Sequence, residues 1–294
     1  TSNTSTLRIE AIAAALPRPE QFAGLHFFMP VVDRDAVEVV RGGRTSVATI
    51  EHCARHVRRL AKEPLVVKDS PGFIVNRLLA PYLNEAIRLL CGGVHADRIE
   101  AAARRYGMPM SPLELIDWIG MRTIFDSGRV YWQAYPNRIE PAAMLGRMIR
   151  RGRLGRAAGK GFYDYQTIDS TDVRSPELSA QTRAIADEFS TPSAPLGEPD
   201  VELRLAIPMW IEAALAMNEG VVDDPADFDL AMRGGLAYAP EHSWRAYFDE
   251  LGAGVIITAI EEGSTASAAM RSPGWLTDRL AAGDTSVDGS ASTG

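Results

Sequence analysis

The stretch Gly24–Arg41, GLHFFMPVVDRDAVEVVR, decides the reading of this chain. Two apolar runs, Gly24–Phe28 and Ala36–Val40, flank a polar turn around Asp33–Asp35. Short apolar runs bounded by turn residues mark strands. His26 and Glu38 stand 12 apart and symmetric about Val32. An antiparallel pair centred there sets imidazole opposite carboxylate. A neutral imidazole takes up a proton near neutral pH, and a carboxylate behind it fixes the tautomer and stabilises the imidazolium. On spacing alone a satisfied core histidine beside a surface glutamate is the commoner arrangement, and both readings stay open here.

Outward from this pair the pattern is α/β. Arg8–Leu16 reads as a short amphipathic helix ended by Pro17. Ser46–Ala61 reads as a helix with Val47, Ile50, Cys53, Ala54, Val57 and Leu60 on one face, and Leu65–Val67 as a buried strand. No GxGxxG fingerprint occurs in the chain; Gly252-Ala253-Gly254 lacks the third glycine and the preceding strand. Residues 1–69 therefore read as the second half of an α/β pattern without its first half. After Pro71 the character becomes helical: Ile74–Leu90, Asp97–Tyr106, Leu113–Ile119 and Ala142–Arg150, closed by the Gly/aromatic segment Gly155–Tyr165. The expected organisation is an α/β Rossmann remnant (1–69) and a helical domain (70–165). A linker with one helical piece (166–200), a second helical repeat (201–280) and a disordered tail (281–294) follow. The repeat rests on a constant offset: Pro81, Glu85, Gly93 and Val94 recur 127 positions later as Pro208, Glu212, Gly220 and Val221, and Gly107 and Pro112 recur 128 later as Gly235 and Pro240. The apolar faces of Ile74–Leu90 and Leu203–Met217 are expected to pack together.

The 294 residues suit about two domains. A net charge of −7 argues against a nucleic-acid partner. Two cysteines, Cys53 and Cys91, build no disulfide framework and suit a reducing cytoplasm. No apolar run reaches the ~18–20 residues of a membrane span, and Thr1–Ile9 has no signal-peptide pattern. The opening residues, with no Met, read as the middle of a longer protein.

Further candidates lie along the chain. In Lys68–Arg77 (KDSPGFIVNR), Pro71-Gly72 exposes backbone at a strand end, and Asn76 sits where its amide can reach a ligand carbonyl. Ser2–Ser5 (SNTS) is an N-cap signal first and a ligand site second. His52 and His56 have metal-compatible spacing without a second ligand cluster. Gly159-Lys160 lacks the Ser/Thr of a phosphate loop, and the run Arg147, Arg150, Arg151, Arg153, Arg156 reads as a solvated helix end before a phosphate site.

SNTSTL, GLHFFMPV, VEVVRG, VVKDSPGFIVNR, PYLNEA, GMPMSPLELID and GKGFYDY occur in the order and spacing of the 3-hydroxyacyl-CoA dehydrogenases, a resemblance that covers Ser2–Tyr165. Ile207–Pro240 resembles the duplicated C-terminal domain of the multifunctional alpha subunits of fatty-acid β-oxidation. The resemblance implies NAD-dependent oxidation of (S)-3-hydroxyacyl-CoA to 3-ketoacyl-CoA. It makes His26 the general base and Glu38 its orienting carboxylate. Ser5 and Asn76 become substrate-binding residues, with Ser5 also beside the nicotinamide. It further implies an acyl-CoA substrate, a thiolase subunit as partner and a homo- or hetero-oligomer. Two departures stand out: Met29 replaces the family's Asn at a cofactor-binding position, and Asp33-Arg34-Asp35 is unusually charged. With the ADP-binding half missing, these residues alone are expected not to bind NAD tightly. The competing expectation is a non-catalytic helical scaffold or docking module with an idle site.

Overall fold

The computed structural model describes residues 1–5, 7–168, 171–190, 196–239, 241 and 243–287. Ile9–Ala13 (α1) precedes the decisive hairpin. Gly24–Phe27 (β1) and Ala36–Arg41 (β2) pair antiparallel, with His26 opposite Glu38 and Leu25 opposite Val39, the register that the centring on Val32 predicts. Glu63–Lys68 (β3) runs parallel on the far side of β2, giving the order β1-β2-β3. Parallel neighbours need a crossover, and Val47–Arg59 (α2) provides it. Its N-cap Ser46 accepts the Thr49 N–H, and Cys53 and Val57 join Ala23, Leu25, Val37 and Val39 in the core under the sheet.

The helical part follows as Val75–Cys91 (α3), Ala96–Arg105 (α4), Pro112–Ile119 (α5), Met121–Ala134 (α6) and Met144–Arg150 (α7). A hairpin of Tyr165–Ile168 (β4) and Thr171–Arg174 (β5) comes next, then Ala180–Glu188 (α8) and Glu198–Asn218 (α9). Ala226–Leu230 (α10), Trp244–Leu251 (α11), Ala253–Gly263 (α12) and Gly274–Ala281 (α13) complete the chain. Pro81 lies inside α3 and Pro208 inside α9.

Three expectations need correcting. The stretch 166–200 carries the one helical piece expected there, α8, but also β5 and most of β4, which were not expected, and Arg174 of β5 lies over the Tyr163 ring and pairs with Glu100 and Glu114. Helix α6 is absent from the sequence reading; Gly128 and the β-branched Thr123, Ile124 and Val130 weaken its local helix signal. The tail expected to be disordered from 281 is packed through Val287, which is buried, and Thr285 accepts a hydrogen bond from the Trp210 indole at 3.0 Å. Its last residues, 288–294, and Pro240 of the repeat lie outside the described residues.

The chain gathers into two compact units that do not follow sequence order. One comprises Thr1–Leu79, Trp210–Thr258 and Ser272–Gly294; the other comprises Ala80–Met209 and Ala259–Arg271. In the first, the N–H of Lys68 at the end of β3 donates to Val221 at 2.8 Å. Buried Arg77 is held by Glu212, Nε to Oε1 2.7 Å, and by Glu219 at 2.9 Å. In the second, Arg204 holds buried Glu85 at 2.6 Å, and the Ser267 hydroxyl also donates to Glu85. Arg77 and Arg204 are 127 apart, as are Glu85 and Glu212. Each unit therefore joins the arginine of one helix to the glutamate of the other.

Candidate active site

His26 and Glu38 form a buried dyad. Nδ1 of His26 lies 2.6 Å from Oε2 of Glu38, and the two residues are 7% and 0% exposed. A carboxylate only accepts, so the imidazole proton sits on Nδ1 and Nε2 keeps its lone pair. Glu38 would be costly to bury without donors. Its second oxygen, Oε1, accepts the N–H groups of Ile74 at 2.9 Å and Val75 at 3.0 Å. These two N–H groups converge because the preceding residues, Gly72 (φ 81°) and Phe73 (φ 50°), are both left-handed. Phe73 has a Cβ and pays for that conformation with roughly 1–2 kcal/mol of strain; its N–H to Ser70 O (2.9 Å) and the Ser70 hydroxyl on its carbonyl (3.2 Å) close the turn. Phe73 and Phe28 also pack on the imidazole, with ring centroids 5.7 and 5.0 Å away.

Asn76 occupies the first turn of α3, one residue past the Glu38 donor Val75, and is half-buried. Ser5, also half-buried, lies in the bend after a segment that extends the sheet beside β1: Ser2 accepts the Leu25 N–H at 2.9 Å and the Asn3 side chain accepts the Phe27 N–H at 3.0 Å. Among the described residues no hydrogen bond joins Ser5 or Asn76 to the dyad. Met29 is 77% exposed on the loop after β1. Lys62 holds that loop by donating to the carbonyls of Val31 and Arg34, at 2.6 and 2.5 Å. Of the arginine run, Arg147 pairs with Glu188, Arg156 lies over the Trp118 ring, and buried Arg153 donates to the Gly161 and Tyr163 carbonyls. Sequence reasoning missed the two backbone donors and the left-handed Phe73. The Pro71-Gly72 break between strand and helix was the available signal.

Residues 1–70 match the 3-hydroxyacyl-CoA dehydrogenase NAD binding domain, and residues 72–165 match the 3-hydroxyacyl-CoA dehydrogenase C-terminal domain. The chain belongs to the 3-hydroxyacyl-CoA dehydrogenase family. It is 32% identical over 275 residues to the fatty acid oxidation complex subunit alpha of Pseudomonas putida (strain GB-1), covering 89% of this chain and 37% of that relative. It thus spans little more than a third of the length of that relative. The 3-hydroxybutyryl-CoA dehydrogenase of Escherichia coli K12 substr. MG1655 superimposes with a TM-score of 0.77 at 26% identity, covering 96% of this chain and 75% of that one. The (S)-3-hydroxybutyryl-CoA dehydrogenase of Ralstonia eutropha gives 0.53 at 36% identity, covering 56% and 59%. The β1-β2-β3 portion therefore belongs to a Rossmann-like NAD-binding domain, and helices α3 to α7 to the helical C-terminal domain. No helix among the described residues is long and apolar enough to cross a membrane.

The residues present fit one end of NAD and not the other. The dyad suits proton transfer beside a hydride acceptor. A pyrophosphate cradle is a different matter. The chain's own strand–turn–helix glycines, Gly42 and Gly43 ahead of α2, are filled from within: a Cβ on Gly42 would lie 3.2 Å from Ile9 and from Thr45, and the Glu10 carboxylate stands 3.5 Å away. That carboxylate is itself paired with Arg44 at 2.8 Å, so the arginine of this turn is already engaged.

Proposed function

We propose that this chain carries the proton-transfer site and helical domains of an enzyme that oxidises (S)-3-hydroxyacyl-CoA to 3-ketoacyl-CoA with NAD. The single observation that carries the reading is the 2.6 Å His26–Glu38 pair, with Glu38 held by the Ile74 and Val75 N–H groups. Bound NAD supplies the acceptor for the C3 hydride. His26, with Nδ1–H committed to Glu38, takes the C3 hydroxyl proton on Nε2. Glu38 keeps the ring in the one productive tautomer and balances the imidazolium. Asn76 and Ser5 hydrogen-bond the substrate oxygens, Ser5 on the nicotinamide side. Met29, a thioether where the family has an amide, offers only a weak acceptor and no donor to the cofactor.

The rest of the organisation follows the same reading. Residues 1–69 supply the NAD-binding portion and 70–165 the first helical domain. Residues 201–280 repeat that domain, and the exchanged pairs Arg77–Glu212 and Arg204–Glu85 support the duplication. The acyl-CoA is the substrate, and the protein works in the cytoplasm as part of an oligomer with a thiolase subunit; the complex-subunit name of the P. putida relative supports the assembly. The idle-scaffold reading is disfavoured because the aligned carboxylate is committed to a single imidazole, Nδ1 to Oε2 2.6 Å, which holds the ring in the tautomer that a base needs. The test is NADH formation by the intact protein from the (S) and (R) forms of 3-hydroxybutyryl-CoA. Turnover of the (S) form alone is expected. No turnover of either form, in protein shown to bind NAD, would remove the proposal.

A further inference from the structure

Helix α10 runs without a break into a π-turn, Ala231–Gly235. Such a widened turn re-aims the backbone and recurs at functional sites. Its two glycines are buried and lie against the structures that hold the dyad. A Cβ on Gly234 would lie 2.7 Å from Ala36 Cβ and 2.9 Å from Ala36 N, at the first residue of β2. A Cβ on Gly235 would lie 3.1 Å from Val75 Cγ2 and 3.4 Å from Phe28 Cε2. Ala36 is two residues before Glu38 and shares its face of the strand. Val75 donates its N–H to Glu38, and Phe28 packs its ring on His26. The glycine pair thus touches the strand, the backbone donor and the ring that fix the two side chains. Neither glycine is left-handed, so space and not backbone freedom requires them.

We infer that the Gly234-Gly235 π-turn, contributed by the second helical block, is a positioning element for the His26–Glu38 dyad. This rests on the dyad being the proton-transfer site. The glycines act through their protein neighbours: they set how closely the π-turn approaches Ala36 at the start of β2, and Val75 and Phe28 beside the dyad. A methyl on Gly235 must push Val75 or Phe28 by a few tenths of an ångström. A methyl on Gly234 meets backbone and has less room to be absorbed.

The test is steady-state kinetics on the intact protein with Gly235→Ala, Gly234→Ala and the double variant Gly235→Ala/Val75→Ala, alongside thermal melts. Gly235→Ala is expected to lower kcat about tenfold while leaving both KM values within about a factor of two. Val75→Ala in the same chain is expected to restore most of that loss, because it removes the crowding methyls and keeps the N–H on Glu38. Gly234→Ala is expected to lose more; should it fail to fold, Gly235→Ala and its double variant decide. Unchanged kcat in folded Gly235→Ala, or no restoration by Val75→Ala, would overturn the inference. His26→Ala separates the two claims. If it retains full kcat, the dyad reading falls. If it loses kcat while Gly235→Ala does not, only the positioning role falls.

Discussion

Glu38 is buried with three hydrogen-bond donors around it and no Lys or Arg ion pair among the described residues. The role proposed for it is therefore local: orient one imidazole and balance the charge that imidazole acquires. Glu38→Gln keeps the shape, removes the negative charge, and is expected to lower kcat about a hundredfold or more while KM changes little. Equal kcat in the variant would contradict the role. A second buried carboxylate, Asp117 on α5, accepts the N–H groups of Phe162 and Tyr163 at 2.7 and 3.0 Å and the Tyr165 hydroxyl at 3.0 Å. Burial outweighs these bonds and pushes its pKa up to about 6. The folded value lies above the unfolded one, so its contribution is full below about pH 4 and is lost as pH rises through about 6. Asp117→Asn is expected to flatten, though not abolish, the fall in melting temperature over that window, since half-buried Asp227, desolvated and beside Asp224 and Asp223, is also pushed up to about 6. A slope identical to wild type would contradict this. His26 and Glu38 were legible because pairing about Val32 needs only a symmetric spacing. Asp117 and the Ile74 and Val75 donors were not, because their partners are backbone groups, which have no letter in a sequence.

Elements succeed or fail by their ends and their neighbours. Helix α2 stops with Ala61 at φ 55°, Ala61 N bonded to Arg58 O at 3.0 Å and Lys62 N to Val57 O at 3.3 Å. This is a left-handed C-terminal cap at a position that favours glycine. Ala61 is exposed, so Ala61→Gly is expected to stabilise the fold by about 0.5–1 kcal/mol in urea melts. A lower midpoint would contradict that account. The Gly155–Tyr165 segment shows the converse. A Cβ on Gly161 would fall 1.9 Å from the Asp117 carboxylate. Gly161→Ala is expected to destabilise by about 2 kcal/mol or more, read as a melting shift. Strands β1 to β3 and helix α2 were legible because their apolar periodicity is strong. The β4–β5 hairpin was hidden by its Ser/Thr/Asp-rich surroundings, and its place is set by Arg174 meeting Tyr163 and Glu100 at distant sequence positions.

At the scale of the molecule, the two helical blocks are exchanged between two compact units, and the sequence order of domains does not foretell that exchange. The 127-residue offset is visible in the sequence, yet the offset alone does not say that Arg77 of α3 meets Glu212 of α9. Breaking such a pair leaves a buried charge uncompensated. Arg77→Ala is expected to destabilise by about 3–5 kcal/mol, and a matched apolar replacement of Arg77 and Glu212 together to recover a large part of it; equal melts for the wild type and Arg77→Ala would contradict this. The central claim remains the dyad. The most direct measurement is kcat for (S)-3-hydroxybutyryl-CoA oxidation by the intact protein carrying His26→Ala, with its melting temperature recorded beside it. A fall of about a thousandfold at an unchanged melting temperature is the result this account predicts. A kcat within about threefold of wild type would contradict it.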